Sequence, residues 1–337
     1  MLTIDGSFGE GGGQVLRSAL ALSLCMQRPF RIYRIRQARR RPGLQPQHLA
    51  AVRAAALVGG AEIEGAEPGS TELLFRPHRV VSGTFHFGVE TAGSTALILQ
   101  TVLPALLTAP TPSHILLEGG THNPQAPSFD FLARAFLPVL ARMGPRVLAY
   151  LERPGFYPAG GGRVRVEVQP AQRLAALDLY QRGAVQAIRA RVMLAHLPEH
   201  IAERESRTLR EALALAATAV EQAHVDARGP GNAVMVEVQS EHITEVFSAI
   251  GTRGVAAEAV AREAAAEATR YLRAGVPVGE FLADQLLLPL ALAGAGSFIT
   301  LTPSRHFLTH REVVRRFLDT DIRCQELAPD CWRVDVG

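Results

Sequence analysis

The chain opens Leu2-Thr3-Ile4, continues Gly9-Glu10-Gly11-Gly12-Gly13-Gln14, and then runs apolar from Val15 to Cys25. This order predicts a short strand, a glycine-rich turn and a helix. Glycines let backbone N–H groups approach an anion, and a helix start adds partial positive charge, so the turn suits phosphate. It equally suits a plain tight strand-to-helix connection. The Gly-Lys-Ser/Thr ending of a nucleotide-triphosphatase loop is missing. The whole chain in fact lacks lysine, and all 35 of its basic residues are arginine. Lysyl-AMP chemistry, Schiff bases and the lysine-bearing phosphate loop are thereby excluded.

Working outward, the same order of elements recurs. After the first helix come a strand over 30–35, a Gly/Pro loop and a helix over 47–58. A second unit has a helix opening at 92–100, a strand over 114–118, a loop over 119–127 and a helix over 129–143. A third has a helix from 279, a strand over 298–301, a loop containing His306 and a helix over 309–317. Each unit closes with two alternating strands: 61–64 with 72–76, 146–151 with 163–168, and 321–325 with 331–336.

The third unit is interrupted. Residues 182–275 carry their own order: strand 185–194, helix 198–220, strands 233–239 and 244–250, and helix 255–272. The fold expected is α/β in the broad α+β sense. A large domain over 1–181 and 276–337 holds three units, each a sheet covered by two helices, and a small α/β domain over 182–275 is inserted. The last inserted helix is rich in alanine and acid, as a solvated amphipathic surface is, so a scaffold or partner-binding role fits the insertion better than catalysis.

A chain of 337 residues, 47% hydrophobic and 20% charged, has room for two cores. Its net charge of +3 carries no global electrostatic message, but seven arginines and no acid fall between Arg28 and Arg41. Arginine's planar fork suits phosphate, so this strip is read as a nucleotide or RNA contact. Cys25, Cys324 and Cys331 are odd in number and lack metal-ligand spacing, which points to a reducing compartment. The apolar run 286–295 is too short to span a bilayer. A cytoplasmic protein with no membrane association is expected.

Without lysine, a Gly-x-Ser-x-Gly elbow or a Cys/His cluster, the nucleophile candidates are histidine, serine and carboxylates. His306 lies in Pro303-Ser-Arg-His-Phe-Leu-Thr-His310, after a strand and before a helix. A neutral imidazole attacks phosphorus well, and the phosphoramidate it forms is reactive enough to pass the group on.

The motifs Gly-Glu10-Gly-Gly-Gly-Gln-Val-Leu-Arg17-Ser, Arg-Pro-Gly43-Leu-Gln-Pro-Gln47-His, Phe156-Tyr-Pro-Ala-Gly-Gly-Gly-Arg-Val164 and Ala283-Asp284-Gln285-Leu, in this order, resemble those of the RNA 3'-terminal phosphate cyclases. The resemblance covers nearly the whole chain. It implies a large domain of three two-helix, four-stranded units with a small inserted domain. It also implies three steps: ATP adenylylates a histidine, AMP moves to an RNA 3'-phosphate, and the neighbouring 2'-hydroxyl closes a 2',3'-cyclic phosphate.

Residue by residue, His306 matches the adenylylated histidine, and Glu10 a position handling a divalent metal (Mg or Mn) and the triphosphate. Arg17, Arg36, Arg39 and Gln47 match positions holding phosphates or the RNA end, and Gln100 matches a nucleotide contact. Phe281, Leu282, Ala283, Asp284 and Gln285 match the ATP-binding stretch, with Phe281 and Pro127 placed to sandwich adenine. Arg40 and Arg41 are read either as further RNA contacts or as solvated loop residues, and the turn 160–162 as structural.

Two departures stand out: Phe281 where the family often has Tyr, which keeps the stacking ring, and His310 where Asn is common. The partners expected are ATP and RNA 3'-phosphate ends, with no obligate protein partner. The alternatives are a non-catalytic cyclase-like factor that binds RNA in ribosome biogenesis, and an enolpyruvyl transferase. The first would lack the nucleophile, and the second commonly binds phosphate through lysines.

Overall fold

A computed structural model describes residues 1–89 and 92–337. The first sheet comprises β1 (Leu2–Asp5), β2 (Phe30–Tyr33), β3 (Glu62–Glu64) and β4 (Leu73–Arg76), with helices α1 (Gly13–Met26) and α2 (Pro46–Gly59). The second comprises β5 (Thr84–Gly88), β6 (Ser113–Gly119), β7 (Arg146–Arg153) and β8 (Gly162–Gln169). Its helices are α3 (Thr95–Leu106), α4 (Phe129–Phe131) and α5 (Leu137–Ala141).

After β9 (Leu177–Leu179) the chain departs through β10 (Val185–Ala195), α6 (His200–Leu213), β11 (Val220–His224), β12 (Gly231–Ser240), β13 (Thr244–Ile250) and α7 (Ala257–Ala274). It returns through α8 (Glu280–Ala293), β14 (Gly296–Thr300), α9 (Arg305–Phe317), β15 (Ile322–Ala328) and β16 (Cys331–Val336).

Three sheets share one pattern, β1-β2-β4-β3, β5-β6-β8-β7 and β9-β14-β16-β15. In each, the first two strands pair in parallel and the last lies antiparallel between the second and third. The third closes across the departing segment, because β9 pairs with β14. The departing segment forms its own mixed sheet, β11-β10-β12-β13, over a core that includes Val192, Val236, Phe247 and Tyr271. Among the described residues no helix is long and apolar enough to cross a membrane.

Helix α1 lies at the centre of the main core, packed against α2, α3 and α9. Every residue from Gln14 to Leu24 is buried, which is why its sequence is apolar on all sides. The polar exceptions are Gln14, Arg17 and Ser18 at its N-terminal end and Ser23 near its C-terminal end.

The sequence reading gave no strand at β5 or β9, and three helices differ from it. The helix expected over 129–143 widens into a π turn over Leu132–Phe136, just before Pro138. Proline has no N–H to give the preceding turn and its ring crowds that turn's carbonyl, so a wider turn relieves the conflict. The helix expected over 198–220 ends at Leu213 with Ala214 in the left-handed region. The alanine-rich residues that follow form only a short 3-10 turn over Ala217–Ala219, and Val220–His224 then becomes β11, because pairing beside β10 satisfies its backbone. Finally, α9 starts at Arg305, not near Thr309, because the Ser304 hydroxyl accepts the Phe307 N–H at 3.1 Å and caps the helix. His306 therefore sits in the first helical turn, not in a loop.

Candidate active site

The glycine-rich turn is stitched to the start of α9. Gly9 has a φ of +61°, and a Cβ there would collide with the Thr309 side chain. The Glu10 N–H donates to Thr309 Oγ1 at 3.1 Å. These contacts bring residues nearly 300 positions apart into one place, with Glu10 Oε2 lying 3.7 Å from His306 Nε2. Arg39 donates from Nη2 to the other Glu10 oxygen at 2.5 Å and to the Glu10 carbonyl at 3.0 Å. Glu10 Oε2 is buried and makes no hydrogen bond.

On its other side His306 meets Asp284 of α8, with Nδ1 at 3.3 Å from Oδ2. Asp284 Oδ1 lies 3.1 Å from His310 Nδ1, so one carboxylate bridges two imidazoles on successive turns of α9. Burial alone would raise the Asp284 pKa, but His310 and His306 outweigh it and hold the carboxyl well below its usual range. Burial also pulls the His306 ring down, yet the Asp284 hydrogen bond and charge, with Glu10's charge, leave it above its ordinary value.

The floor of the site is the N-terminal end of α1. No side chain caps that helix at Gly12, so its first N–H groups stay available to an anion. A Cβ on Gly13 would stand 2.6 Å from His48 Nε2 and 2.7 Å from Arg17 Nη1, so only glycine lets both approach the helix start. Arg17 donates to Gln14 Oε1 at 3.1 Å and to Gln100 Oε1 at 3.4 Å. Burial brings its pKa down to about 10, which leaves it charged at neutral pH.

His48 is pushed down to about 3, by burial and then by Arg17 and Arg36. Its Nδ1 accepts the Gln45 N–H at 3.1 Å, so the neutral ring carries its proton on Nε2, directed at the helix start. Beneath this end a cavity of about 30 Å³ is lined by Gln14, Arg17, Gln100, Asp284, Gln285 and His310 with apolar neighbours. A larger depression of about 880 Å³ lies by the third sheet, lined by Arg311, Arg333 and Asp335 among others. It contains none of the clustered residues, and Arg333 and Asp335 are paired to each other at 2.8 Å. The candidate cluster therefore lies away from this depression.

Of the residues singled out from sequence, Glu10, Arg17, Arg39, Gln100, Asp284, Gln285 and His306 come together here. Arg36 spends its guanidinium on the carbonyls of Arg41 and Gly43, while Arg40 and Gln47 are exposed. Pro127 is half-buried on the loop before α4. Phe281 is 51% exposed at the start of α8, whereas Leu282 and Ala283 are buried behind it.

Sequence reading gave no role to His48, Gln14 or Thr309. The signal for His48 was its place three residues after Gln45 at a helix start, but its burial beside Arg17 is a tertiary fact. Among the described residues no group of three or more His, Cys, Asp or Glu is disposed to hold a metal by itself.

The family model for RNA 3'-terminal phosphate cyclase matches residues 8–324. The chain belongs to the RNA 3'-terminal phosphate cyclase family. A curated relative from Koribacter versatilis (strain Ellin345), named RNA 3'-terminal phosphate cyclase, is 50% identical over 338 residues. The alignment covers 100% of this chain and 95% of the relative. Membership at this level makes the chain an enzyme of the cyclase kind and disfavours the non-catalytic alternative.

Proposed function

We propose that the chain converts RNA 3'-terminal phosphate to a 2',3'-cyclic phosphate through a covalent adenylate on His306, with ATP as co-substrate. The observation that carries this reading is the pair of neighbours on one ring. Asp284 engages Nδ1 and leaves Nε2 facing Glu10 and the free start of α1. An imidazole oriented in this way attacks with its Nε2 lone pair, while Asp284 stabilises the positive charge that develops.

In the first step Nε2 bonds to the α-phosphorus of ATP and the bond to pyrophosphate breaks. Arg17, the neutral His48 Nε2–H and the first N–H groups of α1 receive phosphate oxygens there. In the second, an oxygen of the RNA 3'-phosphate takes the α-phosphorus, and the P–N electrons return to Nε2. In the third, the 2'-hydroxyl attacks the 3'-phosphorus, AMP leaves, and the hydroxyl proton passes to solvent. Phe281 and Pro127 are assigned to the adenine, Gln100 and Gln285 to nucleotide polar groups, and Arg36, Arg39, Arg40 and Gln47 to the RNA end. Leu282 and Ala283 serve as the buried helical spacing between Phe281 and Asp284.

Glu10 also fits a divalent ion. Its Oε2 is buried beside the nucleophile and makes no hydrogen bond, and a single carboxylate is what Mg or Mn takes when phosphates and water complete its shell. Such an ion, when bound, neutralises phosphate charge. The domain reading, 1–181 with 276–337 around an inserted 182–275, is part of the proposal. So is a reducing, cytoplasmic setting, supported by three unpaired cysteines, of which Cys25 is raised by burial to about 12.

The test is incubation with ATP labelled at the α-phosphate in the presence of Mg or Mn. Acid-labile, alkali-stable label that vanishes in His306→Ala is expected. Wild-type protein that retains no label with either metal overturns the reading.

A further inference from the structure

The inserted segment reaches back to the start of the helix that carries Phe281, Asp284 and Gln285. Glu245 of β13 is 1% exposed, and its Oε1 accepts the Gly279 N–H at 2.5 Å. Gly279 is the residue before α8 and offers no side-chain cap of its own. A Cβ at Gly279 would lie 2.9 Å from Glu245 Oε1, so the glycine is what lets the carboxyl reach this backbone. Two residues earlier, the fully buried Tyr271 of α7 donates its hydroxyl to the Pro277 carbonyl at 3.0 Å. The end of α7 is in turn held by Arg182, which donates to the carbonyls of Tyr271 and Leu272 at 3.2 Å each.

We propose that the inserted segment aligns the nucleotide end of the active site, with Glu245 and Tyr271 as positioning residues that fix the start of α8. Glu245 does the work of the N3 carboxylate in a capping box, accepting the N–H of the N-cap residue, but from a different part of the fold. The tie has leverage because Phe281 follows Gly279 by two residues and Asp284 lies on the next turn. A shift of the helix start moves the ring against which adenine is placed and the carboxylate that orients His306. Burial keeps Glu245 protonated at neutral pH, so an amide in its place retains the same acceptor.

The inference rests on assigning Phe281, Asp284 and Gln285 to the nucleotide side, and two readouts separate it from that assignment. Full-length wild type, Glu245→Gln, Glu245→Ala and Tyr271→Phe are compared by equilibrium binding of ATP and by formation of the histidyl-AMP label. Glu245→Gln is expected to match wild type. Glu245→Ala and Tyr271→Phe are expected to weaken ATP binding about fivefold, the worth of one hydrogen bond of ~1 kcal/mol. Label at saturating ATP should fall less than binding.

Variants that melt earlier but bind ATP as wild type does overturn the inference, because a purely structural tie lowers stability without changing affinity. Failure of Glu245→Gln to rescue overturns the role of the acceptor. Wild type that binds ATP but takes no label defeats the histidyl-AMP reading while leaving the binding comparison intact. Wild type that does not bind ATP overturns both.

Discussion

Asp284 joins His306 and His310 through its two oxygens, at 3.3 Å and 3.1 Å. A carboxylate held at both ends by one helix cannot rotate away from the nucleophile, which fixes the His306 tautomer before any substrate arrives. Replacing Asp284 by Asn is expected to lower the rate of histidyl-AMP formation by about 100-fold, in the range general acid–base and orienting groups supply. Retention of full rate in this variant would remove Asp284 from the mechanism. His310→Asn, which keeps a donor toward Asp284, should lose much less than His310→Leu, and quantifying label per minute distinguishes them.

The pH dependence of the first step follows from the raised His306 pKa. Below that value Nε2 carries a proton and has no lone pair to attack with. Histidyl-AMP formation should therefore fall as pH drops, with its acid midpoint above the ordinary histidine value of 6.5. Single-turnover label formation across pH 5 to pH 9 is the check, and a midpoint below 6.5 contradicts the assigned partners.

Gly13 lets His48 and Arg17 approach the start of α1. Gly13→Ala places a methyl against both His48 Nε2 and Arg17 Nη1, so it should destabilise the fold by about 1–3 kcal/mol and weaken ATP binding. Chemical denaturation and nucleotide titration on one preparation measure both. A variant that binds ATP normally would show that the cradle opens elsewhere.

Glu245 makes stability depend on pH in a direction opposite to that of a paired carboxylate. Its pKa is raised from 4.5 to about 8 by burial, against hydrogen bonds from Gly279 and Val246. Between those values the folded chain holds a proton that the unfolded chain releases, so the contribution is full below pH 4.5 and is lost as pH rises through 8. Glu245→Gln should therefore gain on wild type under alkaline conditions. Urea midpoints for both proteins from pH 6 to pH 9 test this, and parallel curves would refute it.

Glu10 offers one buried oxygen that makes no hydrogen bond, while Arg39 occupies the other. Glu10→Gln should raise the Mg or Mn concentration needed for half-maximal label, with less effect on ATP binding measured without metal. An unchanged metal titration would place the ion elsewhere.

Much of this was legible in the order of residues. The alternation in strands such as Arg163 to Gln169, the apolar length of α1 and the recurrence of element order follow from local periodicity, which solvent and core impose directly on sequence. The absence of lysine restricts the covalent chemistry whatever the fold, because no packing can supply an amine the chain does not contain. His306, Glu10 and Asp284 stood out because their motifs resemble one family's in type and order.

Other features depended on partners far away in the chain. Burial decides that His48 is neutral, and lowers Arg17 only to about 10 so that it stays charged, and burial is set by how α1, α2 and α3 pack. Val220–His224 became a strand because β10 offered an edge. Pro138 stands where a regular turn had to widen. The hold of the inserted segment on α8 joins Glu245 to Gly279, 34 residues apart, and no period in the sequence encodes it. By itself the sequence determined most of the order of elements and which chemistry is open to them. Only the tertiary structure decided which side chains share a dry space, because desolvation and hydrogen bonding act between neighbours in space, whatever their distance along the chain.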